Sequence, residues 1–192
     1  MPIRQARAAD LPTIVAIYNS TVAGRQVTAD LHPVSVDERQ TWFDAHQKPH
    51  RPMMVLCDAA DQVLAWATFS DYYARAAYDI SAEISIYVDE NQRGKRVGQT
   101  LLDEMMAMAP SLGIRNVIAV IFAHNTPSVR MFERNGFSLW GTLPNVCELD
   151  EDEVMTRPDN TEITPEMLEA QEAIVAQAEA EEEALINANT EK

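Results

Sequence analysis

Residues 92–98, QRGKRVG, combine glycine with positive charge in a chain that is otherwise acidic. The cations are Arg93, Lys95 and Arg96, and the glycines are Gly94 and Gly98. An apolar helical pattern follows, and the first amide groups of a helix have no partners inside it. Those amides, the helix dipole and the close approach that glycine permits favour a bound anion, and the spacing suits a pyrophosphate. The alternative is a solvated basic turn.

The common nucleotide motifs are missing around this loop. Gln99 follows Gly98, so the phosphate-binding pattern GxxxxGK[ST] fails, and the dinucleotide pattern GxGxxG fails as well. The loop therefore suits a phosphate carrier other than a nucleoside triphosphate or a nicotinamide. The four histidines have no metal-like spacing, so we expect no metal.

The elements that must position the loop follow from periodicity and caps. Helices are predicted at 10–21, 35–47, 98–109 and 125–136, and strands at 3–9, 53–58, 62–71, 82–89, 116–122 and 137–143. Asp10 and Asn125 are cap candidates, and Ser35 with Glu38 has the spacing of a capping box. The strands before and after the third helix should be parallel neighbours. Alternation within 82–89 puts Glu83, Ser85 and Tyr87 on one face.

Composition limits the class of protein. With 192 residues, 46% of them hydrophobic, the chain suits one domain with an appendage. The net charge is −15, but Glu148 to Lys192 holds 15 acidic and 2 basic residues, which leaves the body nearly neutral. This argues against nucleic-acid binding. No apolar run is long enough for a membrane span, and we expect a cytoplasmic protein whose Cys57 and Cys147 are unpaired thiols.

The chain after about residue 157 has a different character. Residues 164–186, TPEMLEAQEAIVAQAEAEEEALI, begin with a Thr-Pro cap and consist mostly of strong helix formers. We predict a globular domain at 1–157 and an acidic helical extension at 158–192. The extension is expected to be a solvated appendage, with a partner-binding or dimer-packing helix as the alternative.

Three stretches in this order resemble a GCN5-related N-acetyltransferase (GNAT) of the phosphinothricin and methionine sulfoximine acetyltransferase group. They are IRQARAADLPTIVAIYN (3–19), SAEISIYVDENQRGKRVGQTLL (81–102) and HNTPSVRMFERNGF (124–137). The resemblance implies an α/β (α+β) fold with a central mixed, mostly antiparallel sheet flanked by helices. It also implies acetyl-CoA as cosubstrate, a small-molecule amine as acceptor, and a homodimer. The family's last apolar strand is shortened or absent here.

The resemblance assigns residues to acetyl-CoA. The pyrophosphate cradle would be Arg93, Gly94, Lys95, Arg96, Val97 and Gly98, with Thr100 close by. Backbone groups of Ser85, Ile86, Tyr87 and Val88 would hold the thioester and pantetheine, and Asn125 and Ser128 would border the pantetheine arm. Arg96 departs from the family pattern [QR]-x-x-G-x-[GA], which has glycine at this position. We expect weaker or altered cofactor binding there.

The resemblance also assigns the chemistry. Acetyl transfer needs a neutral amine, a donor to the oxyanion and a stabilised leaving thiolate. Glu83 matches the glutamate that serves as base, and a salt-bridged strand glutamate is the alternative. The family's acidic tyrosine is matched by Phe132, which has no proton to give. Solvent or another tyrosine such as Tyr87 would take that role.

The acceptor side is implied by position. Tyr18 and Asn19 end the first helix, and the loop after the second long strand carries Tyr72, Arg75 and Tyr78. Arg75 could pair with a carboxylate or phosphinate. The expected reaction is direct attack in a ternary complex on a phosphinothricin or methionine sulfoximine type substrate. The alternatives are a degenerate acyl-CoA-binding or interaction module and an acetyltransferase for protein or peptide amines.

Overall fold

A six-stranded sheet forms the centre of the computed structural model, which describes residues 1–149. The strands are β1 Ile3–Gln5, β2 Gln47–Lys48, β3 Arg51–Cys57, β4 Val63–Asp71, β5 Ser81–Val88 and β6 Asn116–Ile118. The helices are α1 Leu11–Val22, α2 Val36–Ala45, α3 Val97–Met108 and α4 Thr126–Arg134. The order across the sheet is β1-β3-β4-β5-β6, and β2 pairs with β3. All pairs are antiparallel except β5 with β6, so the predicted mixed sheet and its parallel pair are confirmed.

Both faces of this sheet are covered, because side chains of a strand alternate between them. On β4, Trp66 packs with the core under α1 and α2, whereas Phe69 packs with the core under α3. The α3 side is filled by fully buried Leu101 and Leu102. Two separate hydrophobic cores therefore hold the central strands rigidly in place.

Two of the three predicted helix caps are correct. Ser35 accepts a hydrogen bond from the Glu38 amide at 3.2 Å, and Glu38 accepts one from the Ser35 amide at 2.6 Å. Asn125 accepts from the Ser128 amide at 3.2 Å. The Asp10 prediction is wrong for α1, because its carboxylate accepts from the Arg4 side chain at 2.7 and 3.0 Å and from the Arg7 amide at 2.7 Å, and it caps no amide of α1.

The predictions for the last strands are partly wrong. The strand expected at 116–122 stops at Ile118, and residues 137–143 form no strand. Both stretches have the right alternation, but a strand also needs a hydrogen-bonding neighbour. Among residues 1–149, none lies on the outer side of β6.

Some expectations concern residues beyond these. The predicted helix at 164–186 and the extension at 158–192 lie outside the described residues, and the boundary at 157 stays a prediction. The cysteine prediction is confirmed, since Cys57 is buried and Cys147 exposed, and both are free. No helix within residues 1–149 is long and apolar enough to span a membrane.

Candidate active site

Glu83 lies on β5, on the sheet face that is covered by α1 and α2. The β4–β5 register pairs Trp66 with Tyr87, Thr68 with Ser85 and Ser70 with Glu83. Directly paired residues project on the same side of an antiparallel sheet. The Trp66 and Tyr87 rings show this here, because they stack with centroids 4.4 Å apart. The predicted common face of Glu83, Ser85 and Tyr87 therefore follows from the register.

Glu83 is a half-buried carboxylate whose pKa is raised above that of an ordinary glutamate. The cause is desolvation, because burial penalises the charged form. Within residues 1–149 no ion pair or side-chain hydrogen bond to its carboxylate is formed. The salt-bridged alternative therefore finds no support in this part of the chain, and the carboxylate remains open to a substrate or water.

The edge of β5 opens directly after Glu83. In the described part of the chain, β6 pairs with β5 only along Ser81, Ala82 and Glu83. The rest of β5, through Val88, continues beside β4 with no strand on its other edge. Backbone amides and carbonyls of residues 85–88 on that edge can receive an extended ligand, as the prediction for Ser85, Ile86, Tyr87 and Val88 requires.

The basic loop leads straight from this open edge to the start of α3. Asp89 accepts from the Asn91 amide at 2.8 Å and starts a short turn, after which Arg93, Lys95 and Arg96 are all exposed. The first amides of α3 follow at Val97. A helix N-terminus beside three solvent-facing cations is electrostatically suited to a pyrophosphate, so these residues fit the phosphate end of acetyl-CoA.

The conformation of the loop shows why glycine is favoured both at Gly98, where it is present, and at Arg96, where the family pattern has glycine. A side chain on Gly98 would bring its Cβ within 3.2 Å of Val88 Cγ2, so this glycine lets α3 pack against β5. Arg96 has a φ of 62° and adopts a left-handed conformation, which favours glycine. The departure at Arg96 therefore places a strained cation at the helix start, and Thr100 in the next turn bonds back to its carbonyl at 3.1 Å.

The side chain of Asn125 makes two hydrogen bonds that stabilise the fold. Its Oδ1 caps α4, and its Nδ2 donates to the Gln26 carbonyl at 2.9 Å. The residue is buried, whereas Ser128 in the first turn of α4 is half-buried. Their predicted contact with the pantetheine arm stays a prediction, and only one N–H of the Asn125 amide is left for it.

Neither aromatic residue near the reaction centre is suited to protonate a thiolate. Phe132 is buried in the α3 core against Phe137, at 4.9 Å between ring centroids. Burial raises the pKa of the Tyr87 phenol well above its ordinary value, with a smaller contribution from Tyr18 nearby. A phenol with a raised pKa gives up its proton less readily. Solvent remains as the proton source among the alternatives.

Tyr18 and Asn19 differ in what they offer to an acceptor. Both polar atoms of the Asn19 amide bind the Val34 backbone, at 2.8 and 2.9 Å, and thereby hold the segment before α2. The Tyr18 hydroxyl contacts Thr28 at 2.5 Å and donates to Asp30 at 2.6 Å, and burial raises its pKa. The Tyr18 ring packs against Tyr87, with 5.2 Å between the ring centroids, while Asn19 holds the neighbouring segment in place.

The loop between β4 and β5 carries an exposed aromatic cluster. The rings of Tyr72, Tyr73 and Tyr78 lie within 5.0–6.3 Å of one another, and each is at least 40% exposed. Arg75 is exposed beside them and has no ion pair within residues 1–149. Buried Arg51 fixes the base of the loop by donating to the Asp79 carbonyl at 2.8 Å.

Sequence reasoning missed several polar residues on the Glu83 face. The His46 ring lies 3.0 Å from Ser70 Oγ, and Ser70 is the register partner of Glu83. Arg39 lies over the Tyr18 ring at 4.5 Å and pairs with Asp30 at 2.7 Å. The capping box predicted the helix that carries Arg39 and His46, but no local pattern indicates which strand that helix faces. In residues 1–149 no group of three or more His, Cys, Asp or Glu side chains is arranged to hold a metal ion.

A half-buried carboxylate and an open strand edge lie on β5, and the basic helix start follows directly after this strand. The chain belongs to the Acetyltransferase (GNAT) family, whose sequence profile matches residues 14–137. It is therefore an N-acetyltransferase with the GNAT fold, as the resemblance of the three sequence stretches predicts.

The relatives are acetyltransferases of a narrower kind. "Putative phosphinothricin acetyltransferase YwnH" of Bacillus subtilis is 49% identical over 78% of this chain and 91% of that protein. An L-methionine sulfoximine/L-methionine sulfone acetyltransferase of Pseudomonas paraeruginosa is 37% identical over 75% and 84%. A phosphinothricin acetyltransferase of Sinorhizobium meliloti, solved in complex with AcCoA, is 34% identical over 73% and 76%, with a TM-score of 0.69.

A second similarity concerns a different part of the chain. A stretch of 45 residues is 98% identical to the DNA-directed RNA polymerase subunit beta of Lactococcus lactis, and it covers only 4% of that protein. Outside the family match at 14–137, only the C-terminal remainder is long enough to hold it. The stretch is longer than the predicted extension 158–192. The chain therefore contains one part that is similar to acetyltransferases and another part that is similar to an RNA polymerase subunit.

Proposed function

We propose that this enzyme transfers the acetyl group of acetyl-CoA to the primary amine of a small amino-acid-like substrate, of the phosphinothricin or methionine sulfoximine type. The names of the relatives support this acceptor class. The AcCoA complex of the Sinorhizobium protein supports acetyl-CoA as the donor. Acetyl-CoA supplies an activated thioester, and the residues of this chain supply binding, orientation and proton removal.

The observation that carries the proposal is the position of Glu83 at the opening of β5. The carboxylate is half-buried and has a raised pKa, and β6 departs from β5 at this residue. An amine that approaches the thioester along the open edge meets the base first. Because most amines are protonated at neutral pH, a base at this point produces the neutral nucleophile that attack requires.

The roles of the other residues follow from this placement. Glu83 takes the amine proton, directly or through one water, and the amine nitrogen forms its bond to the thioester carbonyl carbon. Backbone amides along residues 85–88 offer donors to the oxygen that becomes negative. The carbon–sulfur bond then breaks and CoA leaves with its thiolate, which takes a proton from solvent. The proposed transfer is direct, in a ternary complex, and no covalent acyl-enzyme is part of it.

The acceptor is proposed to lie between Tyr18 and the aromatic loop. Arg75 is the cation in that loop that is free to pair with a carboxylate or phosphinate of an amino-acid analogue. The tyrosine rings around it present broad apolar faces to the side chain of the acceptor. A protein or peptide amine would occupy the same exposed loop, so acceptor choice has to be measured.

The test is the release of free CoA thiol from acetyl-CoA in the presence of methionine sulfoximine, phosphinothricin or a panel of amino acids. We expect Glu83→Gln to lower kcat by about 10²–10⁴-fold with little change in the KM for acetyl-CoA. In the wild type, kcat/KM should rise with pH to a plateau, because only the deprotonated base is active. Its limb should lie above the ordinary glutamate range, in the direction of the raised pKa.

The matched control is Glu104→Gln, which removes an exposed carboxylate from the outer face of α3. It should leave kcat and the pH profile unchanged. Equal activity of Glu83→Gln and wild type would eliminate Glu83 as the base. Acetyl-CoA binding without transfer to any amine would favour the degenerate binding module instead. The predicted homodimer is checked in the same preparations by measuring molar mass, and the predicted cytoplasmic location by cell fractionation.

A further inference from the structure

We propose that Ser70 and His46 form the outlet through which the proton collected by Glu83 leaves the acceptor pocket. This inference rests on the proposed function, since it gives the base a route for regeneration. It adds two residues to the reaction that neither the anion-binding loop nor the strand pattern indicates. The three side chains come from different elements, namely β5, β4 and the end of α2.

The His46 ring is held at both nitrogens. Its Nδ1 lies 2.7 Å from the Trp42 carbonyl oxygen, and its Nε2 lies 3.0 Å from Ser70 Oγ. A carbonyl oxygen only accepts, so Nδ1 carries the hydrogen and donates it. In the neutral ring Nε2 is then an acceptor, and the Ser70 hydroxyl donates to it. The geometry thus fixes both the tautomer of His46 and the direction of the Ser70 hydroxyl.

Ser70 lies between that ring and the base. It is paired with Glu83 in the β4–β5 register, and directly paired residues have Cβ atoms about 4.5–5.5 Å apart on the same face. A hydroxyl that donates to His46 still has lone pairs to accept a hydrogen bond from its other side. When Glu83 is protonated, its O–H can donate a hydrogen bond to the hydroxyl oxygen of Ser70, its register partner.

The proton transfer balances within these three groups. The O–H bond of protonated Glu83 breaks and a new O–H bond forms at Ser70, while the original Ser70 O–H breaks and an N–H forms at His46 Nε2. Glu83 is again a carboxylate, Ser70 is again a neutral hydroxyl, and His46 is an imidazolium that loses its proton to water. His46 is half-buried and therefore partly accessible to water.

Most of the charged groups on the elements around His46 have a partner. They are Asp37, Glu38, Arg39 and Asp44 on α2, Lys48 on β2, Arg51 on β3, Asp71 on β4 and Glu83 on β5. Asp71 contacts Arg51 at 2.7 Å and Lys48 at 4.0 Å, Arg39 contacts Asp30, and Asp44 accepts from Gln40. Within residues 1–149, Glu83 and the exposed Asp37 have no such partner, and of these two only Glu83 is the register partner of Ser70.

The test compares His46→Gln, Ser70→Ala and the double variant with wild type, in buffers of increasing concentration. We expect each single variant to lower kcat about tenfold with an unchanged KM for the acceptor. Added buffer should restore part of the loss, because a small base then removes the proton that the outlet no longer carries. The double variant should be no slower than either single one, since both interrupt one path.

The control is His50→Gln, an exposed histidine near His46 whose carbonyl, and not its ring, bonds to Arg51. It should match wild type in every assay. A loss of kcat in the outlet variants that buffer does not change, and that adds up in the double variant, indicates a structural role and overturns the proposal. So does an unchanged kcat in His46→Gln.

A second measurement is independent of turnover. The imidazole ¹⁵N spectrum of His46 should show the Nδ1–H tautomer, and the Nε2–H tautomer would contradict the outlet. Failure of the proposed function looks different from failure of the outlet. No acetyl transfer by wild type to any amine overturns both, whereas active wild type with an indifferent His46→Gln overturns the outlet alone.

Discussion

The sheet is well paired and buried on one side of β5, and poorly paired and exposed on the other. On the side of β3 and β4, these two strands are long, paired with each other and mostly buried, and α1 and α2 close over one face. On the side of β6, three residues are paired, and Leu139 and Trp140 are 82% and 77% exposed. The proposed site lies at the border between them. A rigid half thus positions Glu83, and an open half leaves room for a ligand along β5.

The difference between the two sides also coincides with the point in the chain where the similarity to the GNAT family ends. The family match ends at residue 137, where the described backbone has already left the sheet, and the polymerase-like stretch lies in the C-terminal remainder. A strand edge is normally paired or covered. Within residues 1–149, the apolar side chains of Leu139 and Trp140 are exposed and pair with no strand. The comparison can be tested on each side with matched substitutions.

The largest effect is expected from a matched pair of tryptophans. Trp66 is buried, stacks on Tyr87 and donates to the Ile14 carbonyl at 3.2 Å, whereas Trp140 is exposed. Trp66→Ala should lower the free energy of unfolding by about 3–5 kcal/mol, because it leaves a cavity. Trp140→Ala should change it by less than about 0.5 kcal/mol. Urea unfolding measures both free energies. Similar losses in the two variants would contradict the proposed difference in packing between the two sides.

A smaller effect is expected at the far edge of the well-packed side. The Arg4 side chain, through its hydrogen bonds, holds the pKa of buried Asp10 below its usual range. A lowered pKa stabilises the fold above the unfolded-state value, and this stability is lost as pH falls through the lowered pKa. Asp10→Asn should therefore cost about 1–3 kcal/mol at neutral pH and nearly nothing in strong acid.

The control for this pH dependence is Asp61→Asn. Asp61 also accepts from Arg4, at 2.8 Å, but its side chain is solvent-exposed. Water and salt screen such a pair, so the loss should be clearly smaller than for Asp10. Urea unfolding at several pH values distinguishes the two, and a cost for Asp10→Asn that persists in acid would argue against the ion pair as its cause.

At the start of α3, by contrast, we expect a substitution that raises the free energy of unfolding. Arg96 adopts a left-handed conformation that costs a non-glycine residue about 1–2 kcal/mol, and glycine returns about 0.5–1 kcal/mol of this as chain entropy. Arg96→Gly should therefore raise the free energy of unfolding by up to about 1 kcal/mol, because it relieves this strain. Lys95→Gly is the control, because it removes a charge where φ is not positive. Greater stabilisation by Lys95→Gly would contradict the strain argument.

The smallest effect is expected from removing residues 150–192. Every residue assigned to the proposed chemistry lies within 1–149, and the polymerase-like stretch belongs to a different kinship. The shortened chain should keep the kcat and KM of the full chain. Molar mass in solution checks the alternative of a dimer-packing extension, since a change from dimer to monomer on truncation would support it.

Much of the fold is predictable from local patterns. The capping box at Ser35, the alternation around Glu83 and the strand-loop-helix order before Val97 each depend on neighbours in sequence, and each is correct to within a few residues. The wrong strand at 137–143 shows the limit. Its alternation is as good as that of β5, but pairing is a long-range property that alternation does not determine.

The amino-acid sequence by itself determined the basic loop, the face that Glu83 shares with Ser85 and Tyr87, and the family. These are consequences of residue type and of the periods of helices and strands. Tertiary structure alone decided that the helix after Ser35 brings His46 onto Ser70, and that Ser70 lies beside Glu83. It also decided that β5 loses its parallel neighbour directly after Glu83. Contacts between distant segments depend on how whole elements pack, and no short stretch of sequence encodes them.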